Sequence, residues 1–265
     1  MTSVASAVKP PSVLAIGGLD PTSGAGISAD CAALTSLGCH PLPVITASTA
    51  QNTSAVTNCW PVTNSQLSEQ ILTLLSEWQP QAIKIGLIAN SEQIACLVDI
   101  FSAYDPLPPI VIDPVGISSS GSSMSTATAD DWAPLLAIAT LCTPNHREAL
   151  FLSKQRDVND AIAVLRQTIN AILLTGTDSS NGNKIPHTLH WAESTTQPAT
   201  SFQMDRRDGS FHGSGCALSS AIAAHLAHKL ELTVAIDHAL KDVDRWMSKA
   251  FFPSESSPQM ILRHL

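Results

Sequence analysis

The chain alternates between short apolar runs and segments whose apolar residues recur every three or four positions. The first apolar run, 13–18, predicts a buried strand, and the segment 24–37 after it has the period of a helix, with Gly38 as a stop signal. The same criteria predict further strands at 43–47, 82–88, 110–115, 141–143 and 171–175, and shorter strands at 189–191 and 201–204. They predict helices after Thr63, after Asn90, at 130–139, within 145–168 and, as a pair, within 213–251. Thr63 and Asn90 are each followed by Gln three residues later, as at the start of a capped helix.

This alternation predicts an α/β fold in which a mainly parallel sheet lies between two layers of helices. No linker divides the sequence, so we predict one domain over 12–252 with terminal tails at 1–11 and 253–265. The segment 116–128, rich in Ser and Gly, is predicted as a loop and is a candidate lid. Because such sheets bind ligands beyond the carboxyl ends of their strands, functional residues are expected just after strands.

Composition excludes several classes of function. The 265 residues include 14 Lys and Arg against 22 Asp and Glu, a net charge of −8, with no basic cluster to bind a nucleic acid or an anionic membrane. No apolar run approaches the roughly 18 residues of a membrane span, and the start of the chain does not resemble a signal peptide. The six cysteines form no C-x-x-C pair, which argues against a structural zinc site and favours a reducing cytoplasm.

The segment 17–26 is a glycine-rich loop between the first strand and the first helix. Residues 24–29 fit the pattern G-x-G-x-x-A, but no Asp or Glu lies between Asp30 and Glu69, where a dinucleotide site would need one for the ribose. A dinucleotide site is therefore rejected. The loop is either a turn that needs glycine for its backbone or a site in which Asp20 and Asp30 hydrogen-bond a small polar ligand, and we favour the site.

A second candidate is the segment 211–216, which precedes a long apolar helix. Small residues at a helix N-terminus leave backbone N–H groups unpaired, and these groups and the helix dipole attract anions. The same field would lower the pKa of Cys216 in the first turn and make it a nucleophile or a base beside a phosphate. The alternative is a plain helix start with a small buried cysteine, and these residues alone do not decide between the two.

Two further candidates have simpler structural explanations. Asp113 and Glu148 are suited to hold Mg²⁺ through water, but a capping box formed by Asn145 and Glu148 explains the second segment without a metal. Gln51 and Asn52 offer amide donors and acceptors to a heterocycle, or they cap a loop. Taken alone, the structural explanation is preferred for both.

Other features of the sequence indicate no site. The P-loop pattern G-x-x-x-x-G-K-[ST] and the hydrolase pattern G-x-S-x-G are both absent. The histidines at 187 and 190 and those at 225 and 228 lack an evident third ligand, and Lys84 is compatible with a structural role.

Taken together, these segments resemble the hydroxymethylpyrimidine/phosphomethylpyrimidine kinases of the ribokinase superfamily. The matching segments, in chain order, are 18–30, 44–53, 84–87, 113–115, 143–145 with Glu148, and 212–216. The resemblance implies a ribokinase-like three-layer fold and a phosphotransferase that uses ATP and Mg²⁺. The implied activity is phosphorylation of 4-amino-5-hydroxymethyl-2-methylpyrimidine and then of its monophosphate, which supplies the pyrimidine of thiamine.

Together with the candidates above, the resemblance predicts a role for each matching residue. The predicted pyrimidine site contains Gln51, Gly18, Asp20, Ala25, Asp30, Thr49 and Leu87. The predicted anion hole contains Gly213, Ser214 and Gly215, beside the catalytic residue Cys216, where many relatives in the superfamily have Asp. Asn145, Thr175 and Gly176 are predicted to bind the nucleotide, and Asp113 and Glu148 to hold Mg²⁺.

The chain departs from the family pattern at two basic positions. Many members have Lys-Gly-Gly-His after the late strand, whereas residues 175–178 of this chain are Thr-Gly-Thr-Asp. The segment 116–128, where members usually have a basic residue, contains no Lys or Arg. Two alternatives therefore stay open, a pyridoxal or pyridoxine kinase and a pyrimidine-binding sensor without catalysis. The resemblance also implies a homodimer.

Overall fold

The computed structural model of the protein describes residues 9–116, 124–176 and 183–265. Its strands are β1 (Ser12–Leu19), β2 (His40–Gln51), β3 (Val56–Pro61), β4 (Ala82–Ile85), β5 (Ile110–Ile112), β6 (Leu141–Cys142), β7 (Ala171–Leu174), β8 (Lys184–Trp191), β9 (Thr200–Asp205), β10 (Phe211–His212) and β11 (Met260–Ile261). Its helices are α1 (Gly26–Ser36), α2 (Asn64–Leu75), α3 (Ser91–Ser102), α4 (Ala129–Ala137), α5 (His146–Ser153), α6 (Val158–Leu165), α7 (Ser214–Ala227) and α8 (Leu232–Met247).

The main sheet has nine strands in the order β3-β2-β1-β4-β5-β6-β7-β8-β9. The six strands from β2 to β7 in this order are parallel. At the two sides of the sheet β3 pairs antiparallel with β2, β8 with β7, and β9 with β8. Because β1 lies between β2 and β4, the order of the strands along the chain reverses at β1. This reversal opens a crevice at the carboxyl end of β1, where open α/β sheets bind their ligands.

Helices cover both faces of the sheet. α1, α7 and α8 pack on one face, and α2 to α6 pack on the other. Alternate side chains of β1 face the two cores, with Val13 in the first and Leu14 in the second. Strands buried on both faces are apolar throughout, which is why β1 is evident as one continuous apolar run. The predicted three-layer α/β/α fold is confirmed.

Local signals identified the starts of two helices. Thr63 and Gln66 form the predicted capping box at α2, because the Gln66 N–H donates to the Thr63 hydroxyl and the Gln66 side chain accepts from the Thr63 N–H. Asn90 caps α3 by accepting from the Gln93 N–H. The Gln93 carboxamide does not return to the cap but donates to the Thr46 carbonyl at 2.8 Å, so it ties α3 to β2.

The structure differs from the sequence prediction at β3 and at the carboxyl-terminal end. β3 was not predicted because its residues are half-buried or exposed and show no apolar alternation. Residues 253–265, predicted as a tail, return to the domain: β11 pairs with β10, and Leu262 is buried in the core. The polar segment 253–258 concealed the apolar residues that follow it. Residues 117–123 of the candidate lid lie outside the described residues.

The described residues contain no helix long and apolar enough to cross a membrane. All six cysteines are free thiols. Burial raises the pKa of Cys31 and Cys39 to about 11, so these two thiols are protonated at neutral pH.

Candidate active site

A cavity of about 630 Å³ opens at the carboxyl ends of the central strands, beside the start of α7. Its volume suits a small ligand. All but one of the predicted site residues line it: Gly18, Asp20, Ala25, Asp30, Thr49, Gln51, Leu87, Asp113, Asn145, Glu148, Thr175, Gly213, Ser214, Gly215 and Cys216. The edge of the sheet that the sequence indicated is therefore the edge that carries the site.

A second cavity of about 310 Å³ adjoins the first and is lined by the remaining predicted residue, Gly176. Its apolar wall is formed by Ile185, Met204, Leu218, Leu240, Val243 and Met247. The residues that line both cavities are Asn145, Thr175, Phe211, Ser214 and Gly215. The site therefore has room for two compounds that meet at the first turn of α7.

Asp20 holds the loop between β1 and α1 in shape. Its carboxylate accepts hydrogen bonds from the backbone N–H groups of Thr22 and Ala25 at 2.8 and 3.0 Å, and its Oδ2 lies 2.8 Å from Nε2 of His212. Burial raises the pKa of Asp20, but the hydrogen bonds with His212 and Thr22 outweigh it and leave the pKa below its ordinary value. Asp20 therefore positions the loop, and its hydrogen bond to the substrate stays a prediction.

The loop and the start of α7 are in direct backbone contact. Gly26 and Gly213 have φ angles of 59° and 79°, a region that favours glycine. A side chain at Gly213 would collide with the Gly24 carbonyl, and a side chain at Gly26 would collide with the Gly18 carbonyl. The glycines of both motifs therefore bring the loop and the N-terminus of α7 together.

Lys84 is fully buried and forms an ion pair with Asp30. Its Nζ lies 2.9 and 2.8 Å from the two carboxylate oxygens of Asp30, and the Ser220 hydroxyl donates to Oδ1 at 2.8 Å. Burial alone would lower the pKa of Lys84, but the charge of Asp30 raises it above its ordinary value, so the ammonium group is retained. Both Asp30 oxygens are engaged by protein groups, and Asp30 also lines the larger cavity, so its hydrogen bond to the substrate stays a prediction.

Cys216 lies in the first turn of α7, beside the Asp113 carboxylate. Burial and the Asp113 charge raise the pKa of its thiol well above the ordinary value, although the Lys84 charge and a hydrogen bond from the Gly26 backbone lower it. The prediction of a lowered thiol pKa is therefore wrong for the protein without ligands. The effect of the helix dipole on the thiol pKa is smaller than the effects of burial and of the Asp113 carboxylate, which lies about a hundred residues earlier in the sequence.

The N-terminus of α7 keeps the features of an anion site. Its cap residue, Gly213, has no side chain to bond the first N–H groups, and the first turn contains no acidic residue. The unpaired N–H groups of a helix start attract negative charge. Because Ser214 and Gly215 line both cavities, these groups lie at the junction where two bound compounds would meet.

Asp113 and Glu148 place two carboxylates on the wall of the larger cavity. The Asp113 Oδ2 is buried and has no hydrogen-bond partner among the described residues. Glu148 forms the predicted capping box, since its Oε2 accepts from the Asn145 N–H at 2.8 Å and its own N–H donates to Asn145 Oδ1 at 3.0 Å. Burial and the Asp113 charge raise the pKa of Glu148 to about 8. Glu148 therefore caps α5 and also lines the cavity.

The two carboxylates fit Mg²⁺. The described part of the chain has no cluster of three or more side chains that could enclose a metal ion. Mg²⁺ is commonly held by one or two carboxylates and completes its shell with water and substrate phosphates. The orphaned Asp113 oxygen is the kind of buried group that such a cation would satisfy.

Without nucleotide or Mg²⁺, the protein is expected to lose stability as the pH rises from about 5 to 8. The pKa of Glu148 is about 8 in the folded protein against an ordinary value of 4.5, so the folded state binds more protons than the unfolded state in this window. Stability therefore falls as these protons are released. Glu148→Gln, which keeps a capping amide, should flatten the decline in urea unfolding measured across this range with EDTA present. An unchanged pH slope in the variant would contradict the shifted pKa.

Gln51 ends β2 on the wall of the larger cavity, where the pairing with β3 shifts register. Its carboxamide makes no hydrogen bond with the described residues, so its donor and acceptor are available to a ligand. Asn52 differs, because its Oδ1 accepts from the backbone N–H groups of Ser54 and Ala55 and caps the turn. The loop-cap explanation therefore applies to Asn52, and the ligand-binding role of Gln51 stays a prediction.

The remaining predicted residues form walls of the site. The Leu87 side chain packs against Gly18 and leaves no room there for a Cβ atom. The Thr49 hydroxyl donates to the Leu19 carbonyl at 2.8 Å. The Thr175 hydroxyl lies at the junction of the cavities, 3.3 Å from a backbone carbonyl of the loop before α5. Residues 177 and 178, which depart from the family pattern, lie outside the described residues.

Several basic residues of the site were given no role from the sequence, although Lys84 and His212 lie in segments that match the family. Lys84, Arg147 and His212 line the larger cavity, and Arg207 lines the second, where Asp244 binds it through two bonds of 2.7 and 2.9 Å. These residues are scattered singly along the chain. Lys84 alone gave a usable signal, because a lysine within a strand buried on both faces needs a charged partner.

Comparison with known proteins agrees with this geometry. The family model described as phosphomethylpyrimidine kinase matches residues 20–258. A hydroxymethylpyrimidine/phosphomethylpyrimidine kinase of Streptomyces coelicolor is 30% identical, over 95% of this chain and 94% of that protein. A crystal structure of phosphomethylpyrimidine kinase from Clostridium difficile 630 has a TM-score of 0.74 at 27% identity, and the match covers 89% of this chain and 99% of that chain.

A second solved structure shares the fold. The pyridoxal kinase from Staphylococcus aureus in complex with AMP-PCP and pyridoxal has a TM-score of 0.83 at 22% identity, over 97% of this chain and 94% of that chain. At this identity the likeness concerns the fold alone. The match to the family model extends over most of the sequence and includes every residue that lines the two cavities except Gly17 and Gly18. This chain belongs to the phosphomethylpyrimidine kinase family.

Proposed function

We propose that the protein transfers the γ-phosphoryl group of ATP to the hydroxyl of 4-amino-5-hydroxymethyl-2-methylpyrimidine and then phosphorylates the resulting monophosphate. The observation that carries this proposal is the junction of two cavities at the first turn of α7, beside Cys216. Two substrates held in separate cavities would meet there, at backbone N–H groups that attract phosphate. The names of the relatives support the same reaction.

The larger cavity is the proposed acceptor site. Gln51 presents an amide donor and an acceptor to the ring nitrogens and the amine of a pyrimidine. Gly18 and Leu87 provide an apolar wall for the ring. Asp20 and Asp30 shape the pocket, because they hold in place the loop and the buried Lys84 that surround it.

Replacing Gln51 with leucine is expected to raise the KM for the hydroxymethylpyrimidine about tenfold or more, the cost of losing hydrogen bonds to a polar ring. The KM for ATP should stay the same, because Gln51 does not line the second cavity. Steady-state kinetics with each substrate varied in turn measure both values. Asn52→Ala, which changes only the turn, is the matched control, and an unchanged pyrimidine KM in Gln51→Leu would contradict the assignment.

The second cavity is the proposed site for the base and ribose of ATP. Its apolar wall suits a flat base, and Thr175 and Gly176 lie between this wall and the junction. The phosphates would extend to the N–H groups of Ser214 and Gly215. A nucleotide analogue is bound by the pyridoxal kinase of the same fold, which supports this use of the cavity.

Asp113 and Glu148 are the residues that would hold Mg²⁺. When bound, Mg²⁺ would neutralise phosphate charge and the Asp113 charge that raises the pKa of Cys216. The chain contributes the orphaned Asp113 oxygen, the capped Glu148 carboxylate and a dry wall around them.

In the first reaction the acceptor hydroxyl oxygen forms a bond to the γ-phosphorus. The bond between that phosphorus and the β–γ bridging oxygen breaks and ADP leaves. The hydroxyl proton passes to the Cys216 sulfur, which acts as the thiolate after it has lost its own proton to solvent in the loaded site. The N–H groups at the start of α7 stabilise the charge on the transferred group. Lys84 and Asp30 keep a fixed charge pair beside Cys216 and Asp113.

Substrate preference is tested by comparing kcat/KM for the hydroxymethylpyrimidine and for pyridoxal, with ADP release as the readout. We expect the pyrimidine to be preferred, because Gln51 offers an amide to the pyrimidine ring edge. A higher value for pyridoxal would favour the vitamin kinase alternative. Calorimetric binding of the pyrimidine without any ADP release would favour the sensor alternative.

The homodimer implied by the resemblance is also a proposal. β3 lies at an open edge of the sheet, and Trp60 on this strand is 53% exposed. A second copy that covers this edge would remove a large apolar side chain from water. Sedimentation equilibrium measures the mass of the protein in solution, and twice the mass of one chain is expected for the homodimer.

A further inference from the structure

Fixed positive charge is scarce around the two cavities. Among the described residues that line them, Lys84, Arg147 and Arg207 are the lysines and arginines. Lys84 is paired with Asp30, and Arg207 is paired with Asp244. Within the described ranges Arg147 forms no salt bridge, although its charge acts on the neighbouring Glu148 carboxyl and lowers the pKa of that group. It is therefore the lining cation whose charge is available to a ligand.

Arg147 also lies at a position where its side chain contributes little to the stability of the fold. It is in the first turn of α5, where the helix dipole disfavours a cation. Its side chain is exposed, and it belongs to neither hydrophobic core. The position is better explained by an anionic ligand than by the stability of the helix.

We propose that Arg147 binds the phosphate group of the pyrimidine monophosphate, the acceptor of the second reaction. This inference rests on the proposed function. Arg147 lines the larger cavity together with Gln51 and does not line the second cavity, so its guanidinium group is on the acceptor side of the junction. A guanidinium group matches a phosphate with two parallel N–H···O bonds.

The second reaction needs such a cation more than the first. An oxygen of the acceptor phosphate forms a bond to the γ-phosphorus of ATP, the bond from that phosphorus to the β–γ bridging oxygen breaks, and ADP leaves. The attacking oxygen is already deprotonated, so this step requires no base. It does require two anions to approach each other, and their repulsion is reduced by a cation beside the acceptor.

Arg147→Ala is tested with both acceptors at saturating ATP. We expect the KM for the monophosphate to rise about 10- to 100-fold, the effect of losing hydrogen bonds to a charged group. The KM for the unphosphorylated pyrimidine and the KM for ATP should be unchanged. Arg147→Lys should recover part of the loss, because an ammonium group keeps the charge but not the paired geometry.

Arg156→Ala is the matched control, because Arg156 is an exposed arginine that lines neither cavity. The melting temperature of Arg147→Ala should equal or exceed that of the unmodified protein, since a cation leaves the first turn of a helix. A marked fall in melting temperature would instead indicate a structural role for Arg147 and overturn the inference.

The kinetic outcomes separate this inference from the proposed function. If the unmodified protein phosphorylates neither acceptor, the proposed function fails. If it phosphorylates both and Arg147→Ala leaves the monophosphate KM unchanged, only the inference fails. If the variant raises the KM for ATP equally with both acceptors, Arg147 binds the nucleotide phosphates and the assignment to the acceptor is overturned.

Discussion

Replacing Cys216 with alanine is expected to lower kcat for the hydroxymethylpyrimidine by about 10²- to 10⁴-fold, the range for a lost general base. The second reaction should lose less, because its acceptor is an anion that needs no deprotonation. The thiol is protonated in the ligand-free protein, partly because of the Asp113 charge. Its role as a base therefore depends on neutralisation of that carboxylate in the loaded site.

The test is a pair of pH profiles measured with each acceptor. In the unmodified protein kcat/KM for the first reaction should rise with pH as the thiol loses its proton, and this rise should be absent from Cys216→Ala. Cys96→Ala, which removes a half-buried thiol in α3 far from the cavities, is the matched control. Equal losses in the two reactions, or a retained pH dependence in Cys216→Ala, would contradict the role of the thiol as a base.

Replacing Lys84 with methionine is expected to lower the free energy of unfolding by about 3–5 kcal/mol, the cost of leaving one partner of a buried ion pair uncompensated. Both side chains are at most 1% exposed, and the Asp30 carboxylate would retain only the Ser220 hydroxyl of its present side-chain donors.

The double variant Lys84→Met with Asp30→Leu should recover most of this loss, because removing both charges removes the uncompensated group. Urea unfolding of the single and double variants measures the two free energies. The activity of the double variant should stay low, because the fixed charge beside Cys216 and Asp113 is gone. A Lys84→Met protein as stable as the unmodified one would show that the ion pair contributes little.

The fold could be predicted from the sequence because its central strands are buried on both faces and therefore form continuous apolar runs. β1 is a single apolar run followed by a glycine loop and a helix, and Asp113 directly follows β5, so the carboxyl edge of the sheet was evident. β3 was missed because an edge strand with exposed side chains has no such pattern. The return of residues 260–262 to the core depends on a pairing with β10 that spans some fifty residues, which no local signal reveals.

The sequence predicted which residues lie at the site more completely than it predicted what each of them does. The Gln51 carboxamide makes no hydrogen bond with the described residues, whereas Asp20 and Asp30 are engaged by His212 and Lys84. Both partners are distant in sequence, so the polar residues of the loop could not be separated into those that bind and those that position. The pKa of Cys216 was wrongly predicted for the same reason, because it depends on Asp113 and on burial.

The central claim is that one site phosphorylates the pyrimidine twice, and a time course of products by mass spectrometry tests it most directly. The protein is incubated with 4-amino-5-hydroxymethyl-2-methylpyrimidine, ATP and Mg²⁺, and a parallel incubation replaces the pyrimidine with pyridoxal. The account predicts that a pyrimidine monophosphate accumulates first and is then converted to a diphosphate. Absence of any phosphorylated pyrimidine, or formation of pyridoxal phosphate alone, would contradict it.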